Sequence, residues 1–158
     1  VQFTTETGIR CRIYDGPHSF QYSAGVDCWG PLPGVAAGIN FAKVSLGPYD
    51  KVTLKPLTSG PVPPDTSVFS LFNHVNDFSG LESYLDGPTD KKTVDPASYR
   101  VVAPGQKIVV PGARDSDLNN ALCAVGTQGS LTCEVQNMSI EGHPTHGFQL
   151  VPQGSFVY

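Results

Sequence analysis

The sequence predicts an all-β fold, an antiparallel β-sandwich or partly closed barrel with little helix, stapled by disulfides. Three observations carry this. Short runs of alternating apolar and polar residues recur along the chain, at the period of two that sends successive side chains to opposite faces of a strand. The 17 glycines and 14 prolines are spread between those runs and not gathered in one tail, as turn residues are. Four cysteines, Cys11, Cys28, Cys123 and Cys133, fall into two local pairs, the kind a hairpin brings side by side.

Taken in order, Gln2 to Tyr14 contains GIRCRIY, where Ile9, Cys11 and Ile13 alternate with Arg10 and Arg12. Period two puts the cysteine on a core face and the arginines on a wet one. GVDCW and KVTLKPL follow as strands. The middle, TSVFSLFNHVNDFSGLESYLDG, is mixed: SVFSLF alternates like a strand, whereas LESYL reads as a short helix capped by Ser79 and stopped at Gly87. RVVA, KIVV, ALCAV, SLTCEV, HGFQLV and GSFVY complete the strand set, separated by turn segments such as LDGPTD, APG, VPG and PQG. TETGIRCRI near one end echoes TQGSLTCEV near the other. A duplication would produce this echo, and so would any two disulfide-bearing strands that follow tight turns.

At 158 residues, the chain suits one domain with a real core, so residues 1–158 are expected to form a single extracellular β domain. The net charge of -4 and the absence of any basic block larger than Lys91–Lys92 argue against nucleic acid and anionic lipid surfaces as partners. No apolar stretch approaches the roughly 20 residues that cross a bilayer. The opening VQFTTETG lacks a basic head and apolar core, so an exported chain would have its signal peptide already removed. The cysteine spacings lack the Cys-x2-Cys of zinc knuckles and redox pairs. Of three possible disulfide connectivities, Cys11–Cys28 and Cys123–Cys133 are preferred because hairpins would juxtapose them. Oxidised cysteines place the chain outside the cytosol.

The segment CAVGTQGSLTCEVQNMSIEGHPTHGFQLVPQGSFVY, with Phe3 to Cys11 at the other end, resembles a family of small, mostly uncharacterised secreted proteins and lipoproteins of mycobacteria and related actinobacteria. Members open with F-x-S-P-S-G-N-I-x-C and close with S-G-V-T-C, then G-H-G-F and an aromatic strand. The matching residues here are Gly8, Ile9 and Cys11, then Gly129, Thr132 and Cys133 with His146, Gly147 and Phe148. Glu6 and Thr7 replace the proline and serine, Thr145 stands for a glycine, and a Trp-rich middle is reduced to Trp29. The resemblance implies an envelope or secreted protein with local disulfides, and it brings no catalytic residues.

Candidate sites follow from residue chemistry. The aromatic-rich composition makes Trp29 and Tyr22 candidates for a binding surface, with His146 as a third contact. His143 and His146 with His18, His74 or Asp27 would make a zinc site. The turn-like HPTHGF favours a structural role for His146, its ring bonding a backbone carbonyl beside Gly147, and neither metal nor cofactor is expected. Serine hydrolysis lacks a Gly-x-Ser-x-Gly elbow, and phosphate loops are absent. Asp15, Asp27, Asp50, Asp86, Asp90 and Asp95 would supply acid–base pairs, but several adjoin Gly or Pro, where aspartate caps turns. Calcium at 86–95 is disfavoured by Lys91 and Lys92. Asn137-Met138-Ser139 fits the glycosylation pattern. The expectation is a noncatalytic secreted or cell-envelope module that binds a protein, glycan or lipid. The alternative is a cell-wall-directed hydrolase using acidic residues or a histidine-centred metal site.

Overall fold

The structure is a computed structural model that describes residues 1–16, 23–46, 68–86, 90–111, 119–137 and 145–158. Its strands, in chain order, are β1 (Gln2–Thr5), β2 (Arg10–Gly16), β3 (Ser23–Trp29), β4 (Phe41–Leu46), β5 (Val68–Asn73), β6 (Ser83–Asp86) and β7 (Asp90–Thr93). They continue with β8 (Arg100–Val102), β9 (Lys107–Pro111), β10 (Asn119–Val125), β11 (Leu131–Asn137), β12 (Thr145–Leu150) and β13 (Phe156–Val157). One sheet has the order β5-β4-β3-β2-β1-β8 and the other β13-β12-β11-β10-β9, while β6 and β7 form a separate hairpin. Pairing is antiparallel except between β1 and β8. β1–β5 and β9–β13 each run as an antiparallel meander, β8 joins the first sheet in parallel beside β1, and the two sheets stack as a sandwich that does not close into a barrel.

The chain changes sheets at Ala103–Gln106. Pro104 presets the first central position of this turn and Gly105 takes φ +83 at the second, while Gln106 N donates to Ala103 O at 3.0 Å. That is type II turn geometry, in which only glycine or a similarly tolerant residue accepts the left-handed position. Gly105 N donates to Val125 O at 2.7 Å, anchoring the corner to β10.

Alternation decides the core. Phe3, Ile13, Val26 and Val44 of one sheet meet Leu131, Val135, Phe148 and Leu150 of the other, all fully buried or nearly so. Both disulfides lie in this interior. Cys11 faces Cys28 across β2 and β3, Cys123 faces Cys133 across β10 and β11, and each pair has Cα atoms 4.1 Å apart. Such short separations suit directly opposed, non-hydrogen-bonded positions. The two bonds touch across the sandwich, with Cys28 Sγ 3.9 Å from Cys133 Sγ. Beside them the Phe72 and Phe148 rings meet at 6.3 Å, edge to face.

Residues 74–86 and 90–99 add a third layer, which the sequence does not announce. It covers the outer face of the six-stranded sheet through a second apolar cluster of Trp29, Phe41 and Tyr99, with Val75, Phe78, Leu81 and Val94 packed against it. LESYL is not the expected helix. Asp77 accepts from Ser79 N at 2.9 Å and from Ser79 Oγ at 2.7 Å, and Phe78 O accepts from Leu81 N and Glu82 N. Ser79 thus closes a single turn, after which Ser83 pairs with Thr93 and the chain runs on as the β6–β7 hairpin. β4 and β7 are strands that the sequence runs did not include. KVTLKPL lies outside the described residues.

Because Phe148 is fully buried between the sheets, Phe148→Ala should lower the unfolding free energy by about 3–5 kcal/mol in urea titration. Val109→Ala, at an exposed position of the outer face, should stay within about 0.5 kcal/mol.

Candidate functional site

The residues singled out by sequence do not converge. Trp29 is 0% exposed and packs edge to face on Tyr99 at 6.4 Å. It is a core residue under the third layer and not the wall of a binding groove, which corrects the expectation. Tyr22, His18 and His143 lie outside the described residues. His146 is half-buried on β12 opposite Val135, and its ring has no hydrogen-bond partner among the described residues. His74 is exposed, with Nδ1 2.6 Å from Gly38 O and Nε2 2.8 Å from Asn76 Oδ1. Among the described residues the one cluster of potential metal ligands is Cys11, Cys28 and Cys133. Their sulfurs are bound in disulfides, which argues against a metal there. Asp95 caps a turn by accepting from Ala97 N at 2.9 Å, and the side chains of Asp15, Asp50, Asp86 and Asp90 are not described.

The outer face of the six-stranded sheet carries a buried ionic row. Arg12, Asp27 and Lys43 are direct cross-strand neighbours on β2, β3 and β4, so the strand register places opposite charges side by side. Asp27 is fully buried, accepting from Arg12 Nε at 2.9 Å and from Lys43 Nζ at 3.0 Å. Arg12 reaches on to the carbonyls of Gly80 and Leu81, and Arg10 pairs with Glu82 at 2.6 Å. The arginines predicted on a wet face therefore clamp the third layer to the sheet. In the next row Tyr14 lies across Gly25, where a Cβ would collide with the ring, and its hydroxyl donates to Ser45 Oγ at 3.3 Å. Burial opposes the charge of Lys43, but the Tyr14 oxygen and the Asp27 carboxylate outweigh it and hold the ammonium above its ordinary range. With both carboxylate oxygens of Asp27 held by cations, the row is built as a clasp and not as an acid–base pair.

The five-stranded sheet is different. Its outward residues form rows set by register: Val109, Leu122, Glu134 and Gly147 in one, and Lys107, Ala124, Thr132, Gln149 and Phe156 in the next. Asn120, Gln136 and Thr145 make a third. None of these is buried except Gly147, and no described element covers them. Tyr158 extends the first row, exchanging backbone hydrogen bonds with Gly147 at 3.0 Å. A Cβ on Gly147 would collide with the Cys133 carbonyl oxygen and lie 2.9 Å from the Tyr158 hydroxyl. Gly147 thus serves close approach, letting the Tyr158 hydroxyl donate to Glu134 Oε1 at 2.6 Å. Burial, then this bond and the charge of Glu134, raise the Tyr158 phenol above its usual range. The Phe156 ring stands 6.0 Å from that of Tyr158, tilted by 46°. These two aromatics are the site residues that sequence reading missed. GSFVY registers as a strand, and only the pairing of Gly147 with Tyr158 exposes the aromatic-over-glycine arrangement.

No known family, no curated protein and no solved structure matches the chain. Among the described residues no helix is long and apolar enough to cross a membrane. The two disulfides accord with an oxidising, extracytoplasmic environment.

Asp27→Asn strands two cations beneath the third layer, so a loss of about 3–5 kcal/mol is expected in urea unfolding. Glu82→Gln, at a partly exposed pair, should cost under about 1 kcal/mol. A lysine whose folded value is raised contributes fully below its unfolded value and loses that contribution as pH climbs toward the folded one. The stability advantage of the wild type over Lys43→Met should accordingly hold up to about pH 10.4 and shrink above it.

Proposed function

We propose that this chain is a noncatalytic secreted or cell-envelope module that binds a glycan on the outer face of the β9–β13 sheet. The observation that supports it most is the asymmetry of the two outer faces. One is covered by residues 74–86 and 90–99, whereas no described element covers the other, which carries two exposed rings at one edge. Aromatic rings present a flat apolar surface beside a polar tip, which suits the C–H face of a sugar. The amides of Asn120, Gln136 and Gln149 and the hydroxyls of Thr132 and Thr145 offer the paired donors and acceptors that sugar hydroxyls need. With Lys107 and Glu134 as the charged residues of these rows, the face favours a neutral polar ligand over a charged one.

Membership of the actinobacterial family of secreted proteins and lipoproteins is part of this proposal, and it fits a glycan of the cell wall. The hydrolase reading draws no support from Asp27, which is ion-paired on both oxygens, or from the separate placements of His74 and His146.

Titration with soluble cell-wall oligosaccharides, followed by calorimetry and by product analysis, tests the reading. Binding is expected without bond cleavage, and Phe156→Ala and Tyr158→Ala should each weaken it by roughly tenfold, equivalent to about 1.4 kcal/mol. Release of shorter sugars would favour the hydrolase. Affinity untouched by either substitution would move the site elsewhere, and capture of a protein with no response to any glycan would replace the ligand class.

A further inference from the structure

Four buried sulfurs lie together at the centre of the sandwich. Cys28 Sγ is 3.9 Å from Cys133 Sγ, and Cys11, Cys28 and Cys133 keep their sulfurs within 4.8 Å of one another. Cys123, bonded to Cys133, is not part of that group.

We propose that the two disulfides form one exchange-coupled unit, in which opening either bond moves the surviving disulfide to Cys28–Cys133 and straps the two sheets together. Thiol–disulfide exchange proceeds by attack of a thiolate on a disulfide sulfur, with the second sulfur leaving. If an external dithiol reduces Cys123–Cys133, giving up two electrons and two protons and becoming a disulfide itself, Cys133 is freed beside Cys28. Released from its bond, the Cys133 side chain turns so that its thiolate meets Cys28 in line with the Cys11–Cys28 bond; the Cys28–Cys133 bond forms, the Cys11–Cys28 bond breaks, and the Cys11 thiolate takes up a proton. If the dithiol opens Cys11–Cys28 instead, the Cys28 thiolate attacks Cys133, the Cys123–Cys133 bond breaks, and the expelled Cys123 thiolate takes up a proton. Both routes end at the same species, a Cys28–Cys133 bond with thiols at Cys11 and Cys123. Two clips within sheets become one strap between them, so a reductant changes the mechanical coupling of the sheets while a covalent bond remains in the core.

The test uses the wild-type protein treated with limiting dithiothreitol, quenched with acid, alkylated and mapped without reduction. The doubly alkylated fraction should carry its labels on Cys11 and Cys123 and yield a peptide linked through Cys28 and Cys133. Labels confined to native partners, Cys11 with Cys28 or Cys123 with Cys133, would overturn the proposal. So would recovery of the cross-sheet peptide only from protein unfolded in urea. Cys11→Ser gives a second readout, since its single free thiol should be found at Cys123, and a thiol that stays at Cys28 would contradict the exchange.

Discussion

The contact between the Cys11–Cys28 and Cys123–Cys133 bonds is the constraint on which the rest of the structure depends. Each bond joins residues directly opposite in neighbouring strands, so neither strand pair can slip by a residue without breaking it. A one-residue slip would exchange the two faces of a strand. The cystines therefore hold Ile13 and Val26 in the interior and keep Arg12, Asp27 and Lys43 in one row outside it. They close loops with sequence separations of 17 and 10, each worth about 3 kcal/mol on the chain-entropy model. They also touch across the sandwich, with Cys28 Sγ 3.9 Å from Cys133 Sγ.

From that register the two outer faces acquire different fates. On the six-stranded sheet a buried carboxylate between two cations, with Trp29 and Phe41 in the adjoining row, requires a cover, and residues 74–86 and 90–99 supply it through carbonyl groups, Glu82 and apolar side chains. On the five-stranded sheet the outward positions mix apolar residues such as Val109 and Leu122 with neutral polar ones and a single charge of each sign, Lys107 and Glu134, and hold no buried ion pair that requires a cover. The same local device appears on both: Tyr14 crosses Gly25 to reach Ser45, and Tyr158 crosses Gly147 to reach Glu134. One tyrosine is enclosed near a cationic cluster, while the other stays partly exposed beside Phe156. The open face is where a ligand has access to organised side chains.

Much of the fold was legible because period-two alternation and cysteine spacing are local signals. GIRCRIY, ALCAV and SLTCEV form strands, and hairpin neighbours carry the paired cysteines. What alternation cannot specify is what lies beyond each face. Arg10 and Arg12 occupy the face opposite Cys11 as expected, but that face is covered, because the covering segment has the mixed character of NHVNDFSGLES and no strong period of its own. Trp29 was misplaced for the same reason, since burial beneath a third layer leaves no trace in the five residues of GVDCW. Ser79 offered a helix cap, yet Asp77 engaged it first in a turn. Phe156 and Tyr158 were read as strand residues, and their place at a sheet edge depends on pairing with β12, a contact between chain segments.

Hydroxyl-radical footprinting with residue-level mass spectrometry tests most directly the claim that one sheet face is sealed and the other open. Phe156 and Tyr158 should oxidise rapidly in the native protein while Trp29 and Tyr99 are strongly protected, with the protection lost on unfolding. Native-state oxidation of Trp29 and Tyr99 at the rate found in the unfolded chain, with Phe156 and Tyr158 protected, would contradict it.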